Sequence, residues 1–336
     1  MMKRATIAVV LVLVVSCLWA AEATFRSIKD GDVVVSYSTG LRETAGSRDE
    51  LESGDTITTG PTATAELDLF RSGRITVAPD TVLTIQDIVR DGEKATVLIV
   101  AVGSVELFFP RKTELVKTIG SQTSIATAQG TPLTVHVAAD GTTRYEVPAG
   151  AADSIAFVSG SPDDLLADWK VAIGVGQGIE VAPAARPGSG DVYDAGEPTS
   201  FAEWNASRYE VMVSDPARSM GLFTRELNVY AGNIKEIEPL EQDVRDEIAE
   251  YLPKYSLIAD RDGSKAAAEY YLQYITPAQD LLAGYLAEMR FNAVLALLVR
   301  RHSLATLFLE MYSSHFDSPD DEQYREFREA YDEFTT

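Results

Sequence analysis

Residues 54–85 read GDTITTGPTATAELDLFRSGRITVAPDTVLTI. Ala65, Leu67 and Leu69 alternate with Glu66, Asp68 and Phe70. Such period-two alternation sends one row of side chains to a core and the other to water or a second layer. Ser72-Gly73 falls where a tight turn must reverse the chain, and Ile75 and Val77 then alternate with Thr76 and Ala78. Pro79-Asp80 breaks that strand, and Val82, Leu83 and Ile85 begin another. The stretch is strand, turn, strand, turn, strand.

The same grammar runs outward in both directions. Upstream, Asp30-Gly31 precedes Val33-Val34-Val35. Downstream, Asp91-Gly92 marks a hairpin between Ile88-Val89 and Ala95–Val100. Val97–Val102 is apolar at every position, as a central strand covered on both faces would be. Gly103 interrupts it, and Val105, Leu107 and Phe109 alternate again. Thr123–Val137 carries Gly130-Thr131 at a bulge or turn, and Asp140-Gly141 closes a hairpin onto Thr143–Val147. Ile155–Val158, Val171–Val175 and Ile179–Val181 complete the set. A faint internal echo links Thr62–Val77 with Thr123–Val147, as two similar β halves would give.

The start of the chain reads as a leader. Met1–Arg4 is short and positive, Ala5–Val15 is apolar but short for a bilayer span, and small residues follow at Ala20, Ala21 and Ala23. Three fates fit it: simple cleavage, which the residues favour, lipidation at Cys17 after the lipobox-like Val14-Val15-Ser16, and an uncleaved anchor. Cys17 is the only cysteine, so a cleaved chain has no thiol, disulfide or cysteine metal site. The 336 residues are 46% hydrophobic and 24% charged, enough for one large domain or two ordinary ones. The formal net charge of -22 repels phosphate backbones, so nucleic acid is not an expected partner.

Ala182–Ser200 is rich in Pro and Gly and reads as a linker. After it the period changes from two to about 3.6. Phe201–Val213 is amphipathic, and Pro216 follows its cap Asp215 at the start of the next helix. Pro239, Asp262-Gly263-Ser264 and Thr276-Pro277 are read as further helix starts, and Leu304–Phe316 and Asp321–Phe334 as the last helices. Leu282, Leu286, Met289 and Leu297 help form an inward stripe on Ala278–Val299, whose Asp280, Glu288, Arg290 and Asn292 argue against a membrane span. The expected fold class is α+β with segregated parts. A signal peptide covers 1–23, an all-β domain (β-sandwich or β-roll) 24–182, a linker 183–200, and a compact helical domain of five or six helices 201–336.

The residues for catalysis are sparse. His136, His302 and His315 form no His-x-x-x-His or His-Glu-x-x-His pair, and His136 alternates out of a strand as a surface residue. Gly174-Val175-Gly176-Gln177-Gly178 runs into a strand rather than a helix, unlike a dinucleotide loop. Asp260-Arg261-Asp262-Gly263 opens like a calcium loop, but Tyr271 stands where the bidentate acid belongs, so helix capping is the expected role. No catalytic residue, cofactor or metal ligand is assigned.

The segment 53–85 resembles the first half of a FecR domain, with its Gly-Asp, alanine-containing strand, Gly turn and Ile-x-Val-x-Pro. TSIATAQGTPLTVHVAADGTTRYEVPAG, residues 123–150, is similar to the second half, and Gly176-Gln177 to the Gly-Gln near the family's end. The resemblance covers about 30–182 and implies an all-β extracytoplasmic domain, in a family whose founding member relays an iron-citrate signal to a sigma factor. Only Met1–Arg4 precede the apolar run here, so an anti-sigma segment is not expected. The expected role is therefore non-enzymatic binding or scaffolding in the periplasm or envelope of a bacterium, with an envelope protein or glycan as partner. A part in transport-linked or sigma-factor signalling is the alternative. The expected partner contacts are Arg71, Arg74 and Arg111 in β turns and Trp204 in the tail, with membrane contact only through an uncleaved leader or a lipidated Cys17.

Overall fold

The computed structural model describes residues 22–69, 73–90, 93–108, 117–129, 132–148, 155–159, 171–183, 191–195, 200–317 and 325. Residues 1–21 of the leader, Cys17 among them, the helix expected over Asp321–Phe334 apart from Arg325, and Arg71 and Arg111 lie outside them; Ala23, at the expected end of the leader, is instead the first residue of the β body. The strands are β1 (Ala23–Lys29), β2 (Val33–Ser36), β3 (Arg42–Thr44), β4 (Glu50–Leu51), β5 (Thr56–Thr59), β6 (Thr64–Leu69), β7 (Gly73–Val77), β8 (Val82–Arg90) and β9 (Glu93–Phe108). They continue as β10 (Lys117–Gly120), β11 (Ile125–Gln129), β12 (Pro132–Val137), β13 (Thr143–Glu146), β14 (Ile155–Ser159), β15 (Val171–Gly174), β16 (Gln177–Val181) and β17 (Val192–Asp194). The last of these lies inside the stretch read as a linker and extends the sheet by pairing with β16.

β9 belongs to two layers at once. Its first part pairs with β8 and, in parallel, with β10. From Gly103 onward it pairs instead with β7 on one side and β12 on the other. One layer therefore runs β4-β1-β6-β7-β9-β12-β13-β16-β17. The other runs β3-β2-β5-β8-β9-β10-β11-β14-β15. Among the described pairings only β9–β10 is parallel. Gly103 makes the change of layer possible. Its φ is +113°, and a Cβ there would stand 2.5 Å from the Thr81 Cα, so no side chain fits.

The alternating residues of the opening stretch fill the space between the layers. Ala65, Leu67, Ile75, Val77, Leu83 and Ile85 are buried there with Val105, Leu107, Val135 and Tyr145. The run Val97–Ala101 divides between two cores, as its unbroken apolarity implies. Leu98 and Val100 face the inter-layer core, and Val97, Ile99 and Ala101 face a second core shared with the helices. The Gly-Asp of the opening stretch has a local task. Asp55 is buried and accepts the backbone N–H of Ser38 and of Glu52, both at 2.8 Å, so it braces its own loop and ties it to the β2–β3 loop.

The helical part holds five α-helices among the described residues, within the expected number, but two of the expected starts behave differently. α1 (Phe201–Ser214) begins at its cap Ser200, which accepts from the Glu203 N–H. α2 (Pro216–Asp262) begins at Asp215, which accepts from the Arg218 N–H, as the sequence signals. α2 then runs for 47 residues, about 70 Å at 1.5 Å per residue. Pro239 does not start a helix; it and Pro253 lie inside α2, both exposed. Exposure lets each ring avoid the core, and the rest of the turn carries the helix past it. Gly263, with φ +86°, separates α2 from α3 (Ser264–Tyr270), and no side chain caps that start. Thr276-Pro277 does open a helix, with Pro277 in its first turn, but no side chain caps it and the chain enters it already helical. α3 continues through a π-helical turn at Tyr271–Ile275 into α4 (Thr276–Leu298), then through a second π turn at Val299–Leu304 into α5 (Ala305–Asp317).

α2 and α4 pack side by side. By length and composition alone Ser264–Met311 could cross a membrane. Here Phe291, Leu295, Leu298 and Val299 instead share a core with Met220, Phe223 and Leu227 of α2 and with Val97, Ile99 and Ile125 of the sheet. The helices are thus a third layer on the β body.

Candidate functional site

The described polar residues converge where α1 crosses the β12–β13 end of the sheet. His136 pairs with Arg144 across β12 and β13, and Arg144 with Glu180 across β13 and β16. The three side chains form one row on the outer face, since alternate residues of a strand share a face. α1 lays a matching stripe on that row: Phe201, Trp204, Asn205 and Arg208 recur at helical spacing.

Trp204 is 5% exposed. Its Nε1–H donates to Glu180 Oε2 at 3.0 Å, and the Arg144 guanidinium lies 4.5 Å from its ring centre, a cation–π contact. Phe201 stacks on His136 with centroids 5.7 Å apart. Arg144 also donates to Glu180 at 3.2 Å. Asn205 Oδ1 accepts the Ala139 N–H at 3.0 Å. Arg208 donates through Nε and one NH2 group to Asp140 Oδ2 at 3.0 and 2.6 Å, and to Thr142 Oγ1 at 2.8 Å. Asp140 in turn accepts the N–H and the hydroxyl of Thr142, so the turn is braced from inside before the helix reaches it. One strand pair further on, the Tyr193 hydroxyl donates to Glu146 at 3.0 Å, and burial raises its pKa. Burial also lowers the pKa of His136. This histidine does point out of its strand, but α1 covers it, so it is not the surface residue the alternation implies.

Of the expected partner residues, the two that are described, Arg74 and Trp204, are not brought together. Arg74 lies on the other half of the same sheet, across β9, in an open row of charges. It stands 3.5 Å from Asp68, which also faces Arg26 at 3.6 Å, and Lys29 bonds Glu66 at 3.1 Å. The Lys29 ammonium holds Glu66 below the usual carboxylate range. Trp204 is enclosed by its own chain, and Arg71 and Arg111 fall outside the described residues.

Sequence reading missed Arg144, Glu180, Arg208 and Asp140, and a signal for part of this existed. His136 and Arg144 are each four residues from Asp140 of the turn, a spacing that makes them cross-strand neighbours. Arg208 is one helical turn beyond Trp204. Glu180 had no such signal, because its strand pairs across a long connection.

Chemically the row is a set of neutralised charges around a buried indole, suited to holding elements together. Among the described residues no group of three His, Cys, Asp or Glu side chains could hold a metal ion. No protein-family model matches this chain, and no curated protein matches it either.

Proposed function

We propose that this chain is a non-enzymatic, exported binding or scaffolding protein of the bacterial envelope, with a FecR-like β body and a helical layer that meets its partner. The support from sequence is the leader and the order of Gly-Asp, strand, Gly turn and Ile-x-Val-x-Pro over 53–85.

The observation that carries the binding role is the free end of the helical pair. Beyond Ile237 the helices pack on one another and add nothing to either large core. Tyr251, Tyr270 and Tyr274 meet there in edge-on and tilted ring contacts, and Tyr255 meets Tyr271 edge-on. Leu252, Leu257, Leu272 and Tyr274 are exposed around them, with Leu272 at 68%. Large apolar side chains exposed beside clustered aromatics are the usual material of protein contacts.

The test is photocrosslinking in intact cells, with a photoreactive residue at position 272 or, as control, at 204. An adduct to an envelope protein or glycan from 272, and none from 204, is the expected result. Absence of adducts from 252, 257 and 272 in the exported protein would overturn the reading.

A further inference from the structure

Glu226 of α2 sits in the helix stripe Phe223, Leu227 and Tyr230, all three of which are part of the second core. It is 8% exposed, and neither carboxyl oxygen has a hydrogen-bond partner. Four residues on, Tyr230 donates its hydroxyl to the Gln122 carbonyl in the β10–β11 connection. The Gln122 side chain donates to Ser303 Oγ at 2.7 Å, on the second π turn. The same side chain lies across Gly141, where a Cβ would meet its Nε2 at 2.1 Å. Its Oε1, like the oxygens of Glu226, is buried with no donor. The sheet, α2 and the π turn therefore meet at Gln122, and Gln122 and Glu226, one helical turn from the Tyr230 contact, hold three buried acceptor atoms lacking a donor.

An ionised carboxylate without a donor is among the most costly groups to bury, and a proton is the smallest change that removes the cost. We propose that Glu226 is a proton-dependent clasp: as a neutral acid it holds the helical layer on the β body, and its ionisation loosens that junction. A neutral carboxyl also brings the O–H donor that the junction lacks.

The charged surroundings agree. Burial first, and the nearby Asp140 second, push the Glu226 carboxyl up to about 8. Asp140 belongs to the β12–β13 turn and is paired with Arg208 of α1. Other titratable groups on the elements meeting here include Arg225 and Tyr230 of α2, Arg144, Tyr145 and Glu146 of β13, Glu203, Arg208, Tyr209 and Glu210 of α1, and Arg300, Arg301 and His302 of the π turn; Tyr145 is bonded to Ser124 and Tyr209 to Glu310 of α5. Burial and Arg301 hold the His302 pKa down.

The sign follows from proton binding. A carboxyl whose folded value is raised keeps a proton that the unfolded chain releases. Its destabilisation is absent below the unfolded value, grows as pH rises toward about 8, and is constant above that. His136 and His302, whose values are lowered, act the other way and destabilise as pH falls below about 6.5. A variant that changes Glu226 alone separates the two directions.

The experiment compares urea unfolding of the full chain with that of Glu226→Gln from pH 5 to 9. The ratio of unfolding constants, wild type over variant, is expected to rise by up to about tenfold per pH unit and to level off near pH 8. A ratio independent of pH would overturn the proposal. So would wild-type stability at pH 8 that responds to EDTA or to added Ca²⁺ or Mg²⁺, since a bound cation would then be satisfying the carboxylate. If Glu226→Gln does not fold, the wild-type Glu226 carboxyl resonance decides. A neutral acid at pH 6 supports the clasp, and an ionised one at pH 6 contradicts it.

Discussion

The two halves of the outer β layer, on either side of β9, are built alike and finished differently. One half, β1-β6-β7, presents Arg26, Lys29, Glu66, Asp68 and Arg74 to water as an open ladder of charges. The other, β12-β13-β16, presents His136, Arg144 and Glu180 in an equivalent row, and α1 lies on top of it. Similar polar side chains on similar strands therefore have different weights. In the open half water screens each pair and replaces whatever is lost. In the covered half the same groups are desolvated, so each is held by a specific partner or left costly.

Trp204→Ala is the strongest way to break the comparison. It removes the indole under Arg144 and the donor to Glu180 together, and should cost about 3–5 kcal/mol in urea unfolding. A loss below about 1 kcal/mol would mean that α1 is not fastened as described. Arg208→Ala comes next, at about 2–4 kcal/mol, because it leaves the enclosed Asp140 carboxylate without its cation. His136→Gln sharpens the contrast through pH. Burial lowers the His136 value, so the wild-type chain loses stability as pH falls below about 6.5, and the variant should lose less over that range. Equal acid sensitivity in the two chains would show that α1 does not cover the imidazole. Arg74→Ala, in the open half, should stay within about 0.5 kcal/mol of wild type, and any change should shrink in high salt.

Much of the β body is legible in the residues, because strand alternation and turn chemistry are local. The opening stretch gives β6, β7 and β8 with their inward residues, and Val97–Val102 announces a strand covered twice. Gly103 is legible as an interruption but not as a change of layer, since that depends on Thr81 standing against it from a distant turn. The helices show the opposite balance. Their caps at Ser200 and Asp215 can be read, and Thr276-Pro277 does mark the start of α4, whereas Pro239 looks like a boundary and is not. Tertiary packing along one long pair overrides a local penalty of about 3 kcal/mol per proline. The candidate site is legible only in its parts. Trp204 and Arg74 stand out equally in the sequence, and nothing local says that one is enclosed and the other open. Glu226 does carry a signal, as one acid inside the stripe Phe223, Leu227 and Tyr230.

The central claim is that the helical layer and the β body form one cooperative unit through the covered half of the sheet, while the far end of the helical pair stands apart. Native-state amide exchange on the full chain and on Arg208→Ala tests it directly. The account predicts one shared opening energy for residues 97–102, 220–230 and 295–304, lowered together in the variant, with faster exchange over 250–275 in both chains. Helical amides that open independently of β9, with strands unchanged by Arg208→Ala, would contradict it.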